Sequence, residues 1–208
     1  MKMQIAFDTT DLDQALLVAT DLEPYADLFE IGSLLLYKHG EYAIKAFKEK
    51  FPHKTLVVDS KIIDHGKESA ALLAEAGADW VTVMAGTAPT IIRNVCTVAH
   101  EKNKKVMLDL LDSSSLGQSA LEAQSLGVNA LIIHRTSNPD EEFFFLDRWD
   151  MVKGNTQLPI FIACHSTHDV LRDLLTLNPY GIILGRAILQ AESPLEEAQL
   201  FYNLISKA

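Results

Sequence analysis

The sequence predicts a (β/α)8 barrel, in which eight parallel strands close into a ring surrounded by helices. Short runs of apolar, often β-branched residues alternate with longer amphipathic segments along all 208 residues, and the runs begin roughly 25 residues apart. The runs are apolar almost throughout, which is typical of parallel strands covered on both faces. An open doubly wound sheet is the alternative, but the first strand lacks the Gly-rich turn of a dinucleotide site.

The candidate strands and helices follow one another without interruption. The strands span residues 3–8, 28–32, 55–59, 80–84, 105–110, 130–134, 159–164 and 181–185. Helical patterns lie between them: Asp11 is suited to cap the first helix, and Gly77 and Gly127 are placed to end two others. No Pro-rich or Ser-rich linker separates these units, so we expect a single domain over residues 1–208.

Composition and charge exclude several classes of protein. A formal net charge of −10 argues against a nucleic-acid partner. No stretch approaches the roughly 18 apolar residues of a membrane helix, and the first residues turn polar too soon for a signal peptide. The two cysteines are too few for a disulfide framework, so we expect a reduced, cytoplasmic protein without a membrane partner. An anionic substrate would then need local positive charge or a metal ion.

Ionisable side chains stand at the carboxyl ends of six of the eight strands. A barrel carries its active site at this end. Each residue alone could be a helix cap or a member of an ion pair, but together they predict a charged site on one rim. These strand ends hold Asp8, Glu30, Asp59 with Lys61 and Asp64, Asp109, His134 with Arg135, and Gly185 with Arg186.

The stretch LVVDSKIIDHG, residues 56–66, provides the most informative of these ends. Because side chains alternate along a strand, Asp59 and Lys61 should face the same way, whereas Asp64 lies beyond the strand. Lys61 between carboxylates should keep its charge, which suits stabilisation of an enediolate rather than a Schiff base. Glu30 and Asp59, on adjacent strands, are a reasonable pair of oxygen ligands for Mg²⁺.

Two histidine-containing segments each have two interpretations. His134 could be a hydrogen-bonded core residue or, beside an enediolate, an acid/base group with a pKa near neutrality. Cys164, His165 and His168 in CHSTH could form a metal cluster, but no second cluster at zinc-site spacing accompanies them. Cys164 is better interpreted as a small buried residue at the end of a strand.

The order of these motifs resembles the orotidine monophosphate decarboxylase suprafamily. The resemblance rests on Asp8, on Glu30 in FEIG, on the D-x-K-x-x-D block of residues 59–64, on HR at 134–135 and on LGRAI at 184–188. It covers nearly the whole chain and is greatest for the branch that contains 3-hexulose-6-phosphate synthase and 3-keto-L-gulonate-6-phosphate decarboxylase.

The resemblance implies a homodimeric barrel with active sites at the subunit interface. Glu30 and Asp59 would hold Mg²⁺, and Lys61 would stabilise the enediolate. Asp64 would enter the neighbouring subunit's site, and His134 would shuttle protons.

The same resemblance implies how a sugar-phosphate substrate would be bound. Gly185 and Arg186 would bind the phosphate together with the loop after the seventh strand, and Asp8 would meet the hydroxyl groups. Asp109, Arg135 and His165 complete the expected substrate-binding residues.

Both reactions of this branch pass through a 1,2-enediolate of a five-carbon sugar phosphate. The synthase adds formaldehyde to the enediolate of ribulose 5-phosphate, whereas the decarboxylase generates its enediolate by losing carbon dioxide. HR at 134–135 resembles the decarboxylase, although a second arginine expected shortly afterwards is absent, and Asp109 resembles the synthase. We therefore expect a magnesium-dependent carbon–carbon lyase most like the synthase, with the decarboxylase as the alternative.

The loop after the seventh strand departs from the family pattern. Cys164 and His165 occupy the places of glycines whose backbone N–H groups bind phosphate. Ser166 or Thr167 could still begin a helix whose amides meet an anion. Two further hypotheses follow: a sugar-phosphate-binding barrel without catalysis, and the same chemistry on a substrate with another anionic end.

Overall fold

Eight parallel strands close into a barrel in the computed structural model, which describes residues 1–135, 144–164 and 167–207. Each strand pairs with the next along the chain, and the last pairs with the first. The predicted (β/α)8 barrel is confirmed, and the open doubly wound alternative is wrong.

The elements alternate as the sequence predicts. The strands are β1 (Lys2–Phe7), β2 (Leu28–Ile31), β3 (Thr55–Ile62), β4 (Trp80–Met84), β5 (Lys105–Asp109), β6 (Ala130–Arg135), β7 (Ile160–Cys164) and β8 (Gly181–Leu184). The helices are α1 (Leu12–Leu22), α2 (Ser33–His39), α3 (Glu41–Lys50), α4 (Gly66–Ala76), α5 (Pro89–Glu101), α6 (Leu116–Leu126), α7 (Phe145–Lys153), α8 (His168–Leu175), α9 (Arg186–Leu189) and α10 (Pro194–Ile205). A short 3-10 helix, Glu23–Tyr25, follows α1. The largest difference from the predicted strands is β3, which continues past residue 59 to Ile62.

Local chemistry explains where the helices begin and end. The Asp11 carboxylate accepts a hydrogen bond from the Gln14 backbone N–H at 3.0 Å, as an N-cap does. Gly77 and Gly127 end α4 and α6 with φ of 117° and 93°, a left-handed conformation that glycine adopts without a steric penalty. The predicted cap and both predicted helix ends are confirmed.

Apolar side chains fill the inside of the barrel below its carboxyl end. This inner cluster consists of Ala6, Leu28, Val57, Met107, Ala130, Ile132, Phe161 and Ile183, and a larger cluster packs the helices onto the outside of the strands. Residues two apart on a strand share a face. The residue two positions after a member of the inner cluster therefore also points into the barrel, one layer closer to its carboxyl end. In four strands that position is Glu30, Asp59, Asp109 or His134. A polar layer therefore lies on an apolar plug.

A membrane-spanning helix needs both sufficient length and an apolar character. Across the described residues, no helix combines the length and the apolar character needed to cross a bilayer.

Candidate active site

The centre of the polar layer is the Lys61 ammonium, held between two carboxylates. Its Nζ lies 2.8 Å from Asp59 Oδ1 and 3.1 Å from Asp109 Oδ2. Burial alone would lower the pKa of Lys61, but the charges of Asp109 and Asp59 outweigh burial and raise its pKa above the ordinary lysine value. The raised pKa favours the charged form of Lys61, and Asp59 and Lys61 share a face of the barrel, as the alternation of side chains predicts.

Asp109 joins Lys61 to His134. The carboxylate is fully buried; Oδ1 lies 2.8 Å from His134 Nε2 and accepts the Leu111 N–H at 2.9 Å. Burial acts to raise the pKa of Asp109, but the His134 hydrogen bond, the charge of His134 when it is protonated and the charge of Lys61 hold it below the ordinary value. An ionised carboxylate can only accept, so His134 Nε2 carries the hydrogen and Nδ1 is the basic nitrogen. Asp109, expected to bind substrate, instead lies behind Lys61 and His134.

Glu30 is paired with Gln4, which is not among the predicted site residues. Gln4 lies fully buried on β1 and its Nε2 donates to Glu30 Oε2 at 2.5 Å. Burial and the neighbouring Asp59 charge raise the pKa of Glu30 to about 8, although the Gln4 hydrogen bond and Lys61 act in the opposite direction. A glutamine inside the otherwise apolar run MQIAF was the available signal.

Glu30 and Asp59 fit the requirements of a magnesium pair. Both carboxylates are buried on adjacent strands, and their mutual repulsion is one cause of the raised Glu30 pKa. The hydrogen bonds that Lys61 and Thr82 donate to Asp59 both reach Oδ1. The described residues contain no group of three or more His, Cys, Asp or Glu arranged to hold a metal. Two protein carboxylates, completed by substrate and water, suffice for Mg²⁺.

A cavity of about 310 Å³ opens above this layer at the carboxyl ends of the strands. Its polar lining consists of Asp8, Glu30, Asp59, His134, Arg135, Cys164, Gly185 and Arg186, and its apolar lining of Ala6, Leu111, Ala163 and Ile183. Seven of the predicted site residues therefore meet in one cavity, whose volume lies within the usual range for small-molecule sites.

The ends of β1 and β2 meet at the rim through Asp8. Its Oδ1 accepts the Leu34 N–H at 3.1 Å, in the first turn of α2. A Cβ on Gly32 would lie 2.6 Å from the Asp8 Cα, so this close approach of the two strand ends requires glycine.

Lys61 and Asp64 line a second depression rather than this cavity, a groove of about 560 Å³ between the α2–α3 turn and α4. The Asp64 side chain is 72% exposed, and its carboxylate accepts the adjacent His65 N–H rather than contacting Lys61. The exposed apolar side chains of Tyr37, Ile63 and Leu72 line the same groove. The structure therefore does not bring Asp64 into the cavity of its own chain.

The loop after β7 is described only in part, because His165 and Ser166 lie outside the described residues. Thr167 begins α8, and its Oγ1 accepts the Val170 N–H at 3.4 Å. His168 Nε2 lies 3.1 Å from Glu197 Oε1 on α10, and its ring packs on Phe201. His168 is thus engaged with α10, which weakens the metal-cluster interpretation of CHSTH.

The family model described as orotidine 5'-phosphate decarboxylase / HUMPS family matches residues 1–149. The chain belongs to this family. The resemblance inferred from the D-x-K-x-x-D block and the strand ends is thereby confirmed.

Individual relatives cover the chain from end to end. It is 28% identical over 207 residues to 3-hexulose-6-phosphate synthase of Bacillus subtilis, and the matched region covers 99% of each protein. The structure is similar to that of 3-hexulose-6-phosphate synthase from Salmonella typhimurium, with a TM-score of 0.92, 30% identity and coverage of 100% of this chain and 99% of that one. It is also similar to 3-keto-L-gulonate-6-phosphate decarboxylase from Vibrio cholerae, with a TM-score of 0.85, 27% identity and coverage of 99% and 97%.

Proposed function

We propose that this chain is a magnesium-dependent carbon–carbon lyase whose reaction is the aldol addition of formaldehyde to the enediolate of ribulose 5-phosphate. The observation that carries the proposal is the Lys61 ammonium, held at 2.8 and 3.1 Å by two buried carboxylates beside a cavity with two arginines. A fixed cation at that place stabilises negative charge that develops on a substrate oxygen. The names of the relatives at 28% and 30% identity support the same reaction.

Lys61 acts as the electrostatic partner of the enediolate. An ammonium group has three N–H donors, of which Asp59 and Asp109 engage two, so one is left for the oxygen on C2 of the sugar. Its two partners fix its position before the substrate arrives, so little reorganisation is needed as charge develops.

His134 moves the proton. Its Nδ1 removes a proton from C1 of ribulose 5-phosphate, and the C–H electron pair forms the C1–C2 double bond of the enediolate. C1 then attacks the carbon of formaldehyde, and the new alkoxide takes a proton from the imidazolium. The Asp109 carboxylate, 2.8 Å from Nε2, orients the ring and stabilises its charged form.

Glu30 and Asp59 would hold magnesium at the edge of the cavity. When bound, the ion supplies Lewis acidity toward the substrate's carbonyl oxygen. Glu30 must lose its proton to serve as a ligand, and a dication beside it favours that ionised form.

The two arginines and Asp8 orient the sugar phosphate. Arg186 and Gly185 at the start of α9, with Arg135 at the end of β6, place positive charge on one side of the cavity for the phosphate. Asp8 on the rim accepts hydrogen bonds from the sugar hydroxyls.

The active unit is a homodimer in which Asp64 enters the partner's site. The exposed carboxylate, the absence of a contact between it and Lys61 among the described residues, and the apolar groove beside it support this arrangement. Mixing inactive Lys61→Ala and Asp64→Ala chains should restore activity in the mixed dimers, since these contain one intact site. A mixture that stays inactive while exchanging subunits would refute the shared site.

A paired assay tests the proposed reaction. One arm supplies ribulose 5-phosphate and formaldehyde, and the other supplies 3-keto-L-gulonate 6-phosphate, each with Mg²⁺ and again with EDTA. We expect magnesium-dependent turnover in the first arm. Turnover confined to the second arm would favour the decarboxylase, which HR at 134–135 resembles. If a folded protein binds ribulose 5-phosphate but shows no turnover in either arm, a non-catalytic binding barrel would be favoured.

A further inference from the structure

Strand β4 contributes a buried polar side chain to the site, Thr82, whose exposed fraction is 1%. We propose that Thr82 is a positioning residue for the reaction, because its hydroxyl holds the Asp59–Lys61 segment in the irregular conformation that brings the Lys61 ammonium to the substrate. The catalytic part of this inference rests on the proposed function.

The β3–β4 pairing is irregular at the catalytic segment. Val58 pairs with Val81, and the next registered pair is Ile62 with Val83. Three residues of β3, 59–61, therefore lie opposite the single residue Thr82. Lys61 has a φ of 44°, a left-handed conformation that residues other than glycine adopt infrequently. Neighbouring contacts must hold the bulge in place.

Thr82 makes contacts with all three bulged residues. Its Oγ1 accepts the Lys61 N–H at 2.8 Å and donates to Asp59 Oδ1 at 3.1 Å. Ser60 Oγ donates to the Thr82 carbonyl at 2.9 Å and accepts the Thr82 N–H at 3.2 Å, in place of the backbone ladder that the bulge interrupts. The hydroxyl thus acts once as donor and once as acceptor.

The same Asp59 oxygen receives the Thr82 hydroxyl and the Lys61 ammonium. The backbone and the side chain of the catalytic segment are thereby fixed by one small group that need not touch the substrate. Removing the hydroxyl would leave the Lys61 N–H without its acceptor and Asp59 without one donor, so the segment would relax. Because a displacement of about 1 Å in an active site can cost roughly 100-fold in rate, we expect a loss of about 10- to 100-fold in kcat.

The decisive comparison is Thr82→Val against Thr82→Ser, in magnesium with ribulose 5-phosphate and formaldehyde. Valine keeps the shape and loses the hydroxyl, whereas serine keeps the hydroxyl. We expect kcat to fall in Thr82→Val with KM for the sugar phosphate unchanged, and to be retained in Thr82→Ser. Wild-type kcat in Thr82→Val would overturn the inference, as would an equal loss in both variants.

A matched control separates positioning from general packing. Thr156 is also buried, and its hydroxyl also accepts a backbone N–H, from Leu158, but it lies before β7 at the opposite end of the barrel. Thr156→Val should leave kcat unchanged, and a loss equal to that of Thr82→Val would contradict the proposed role. If Thr82→Val does not fold, Thr82→Ala, which also lacks the hydroxyl, replaces it: kcat should fall, and wild-type kcat would overturn the inference.

A second readout needs no substrate. The amide hydrogen of Lys61 should exchange with solvent faster in Thr82→Val than in wild type or Thr82→Ser, as measured by NMR, and equal rates in all three proteins would overturn the inference. If the wild-type protein turns over neither sugar phosphate, the proposed function fails while the amide measurement still decides the role of Thr82 in holding the bulge. If wild type is active and Thr82→Val matches it, only the role of Thr82 fails.

Discussion

Replacing Glu30 with glutamine should stabilise the metal-free protein at alkaline pH while abolishing magnesium-dependent turnover. Glu30 is buried among carboxylates, which raises its pKa from 4.5 to about 8. As pH rises above about 4.5, the unfolded chain releases this proton before the folded protein does, so the folded state progressively loses stability until about pH 8. Glutamine has the same shape and no proton to release.

The size of the effect follows from the shift. At about 1.4 kcal/mol per pKa unit, the raised pKa of Glu30 lowers the free energy of unfolding by roughly 3 kcal/mol at pH 7 and by at most about 5 kcal/mol above pH 9. Below about pH 4 the free energy of unfolding is not lowered. Within the described part of the chain, the buried acceptor Gln4 Oε1 has no hydrogen-bond partner, so the introduced amide can donate to it. We therefore expect the difference in unfolding free energy between variant and wild type to grow with pH.

Urea unfolding at pH 5 and pH 8.5 in EDTA measures this difference. Glu49→Gln removes an equivalent charge from an exposed position on α3 and should leave the pH dependence as in wild type. Adding excess Mg²⁺ at pH 8.5 should stabilise wild type and not Glu30→Gln, because in the proposed site only the native carboxylate can act as a ligand to the ion. If the unfolding free energy depended on pH in the same way in wild type and Glu30→Gln, the raised pKa of Glu30 would be refuted.

Three further perturbations test other parts of the site. Lys61→Met should lower turnover by roughly 100- to 1000-fold with the circular dichroism spectrum retained, because it removes the proposed donor to the enediolate; activity near wild type would contradict that role. His134→Asn should lower kcat by about 100- to 10,000-fold, measured by steady-state kinetics, and a smaller loss would leave proton transfer to another group. Ile63→Asp should convert the proposed dimer to a monomer in sedimentation velocity and remove activity, whereas Leu121→Asp, on the exposed face of α6, should do neither.

The regular features of this fold could be predicted from the sequence because they depend on periodicity. Eight apolar runs at near-constant spacing predict the barrel, and the alternation of side chains along a strand places Glu30 two positions after Leu28 and Asp59 two after Val57. The charged rim follows from the strand ends alone. The N-cap at Asp11 depends on neighbours a few residues away, and that local chemistry was also visible.

Contacts between residues on different strands, which lie far apart in the sequence, could not be predicted in the same way. The bulge opposite Thr82 depends on the register between β3 and β4, which neither strand specifies alone. Asp109 was expected at the substrate, but its burial results from Lys61 and His134 approaching from two other strands. Gln4 is conspicuous in an apolar strand, yet its partner Glu30 is 26 residues away.

The most direct test of an enediolate lyase is proton exchange at C1 of ribulose 5-phosphate in D2O without formaldehyde, followed by proton NMR. We predict that the wild-type protein with Mg²⁺ exchanges the C1 proton for deuterium, and that EDTA or His134→Asn abolishes the exchange. Binding of ribulose 5-phosphate without any exchange at C1, in a folded protein with magnesium, would contradict the proposed chemistry.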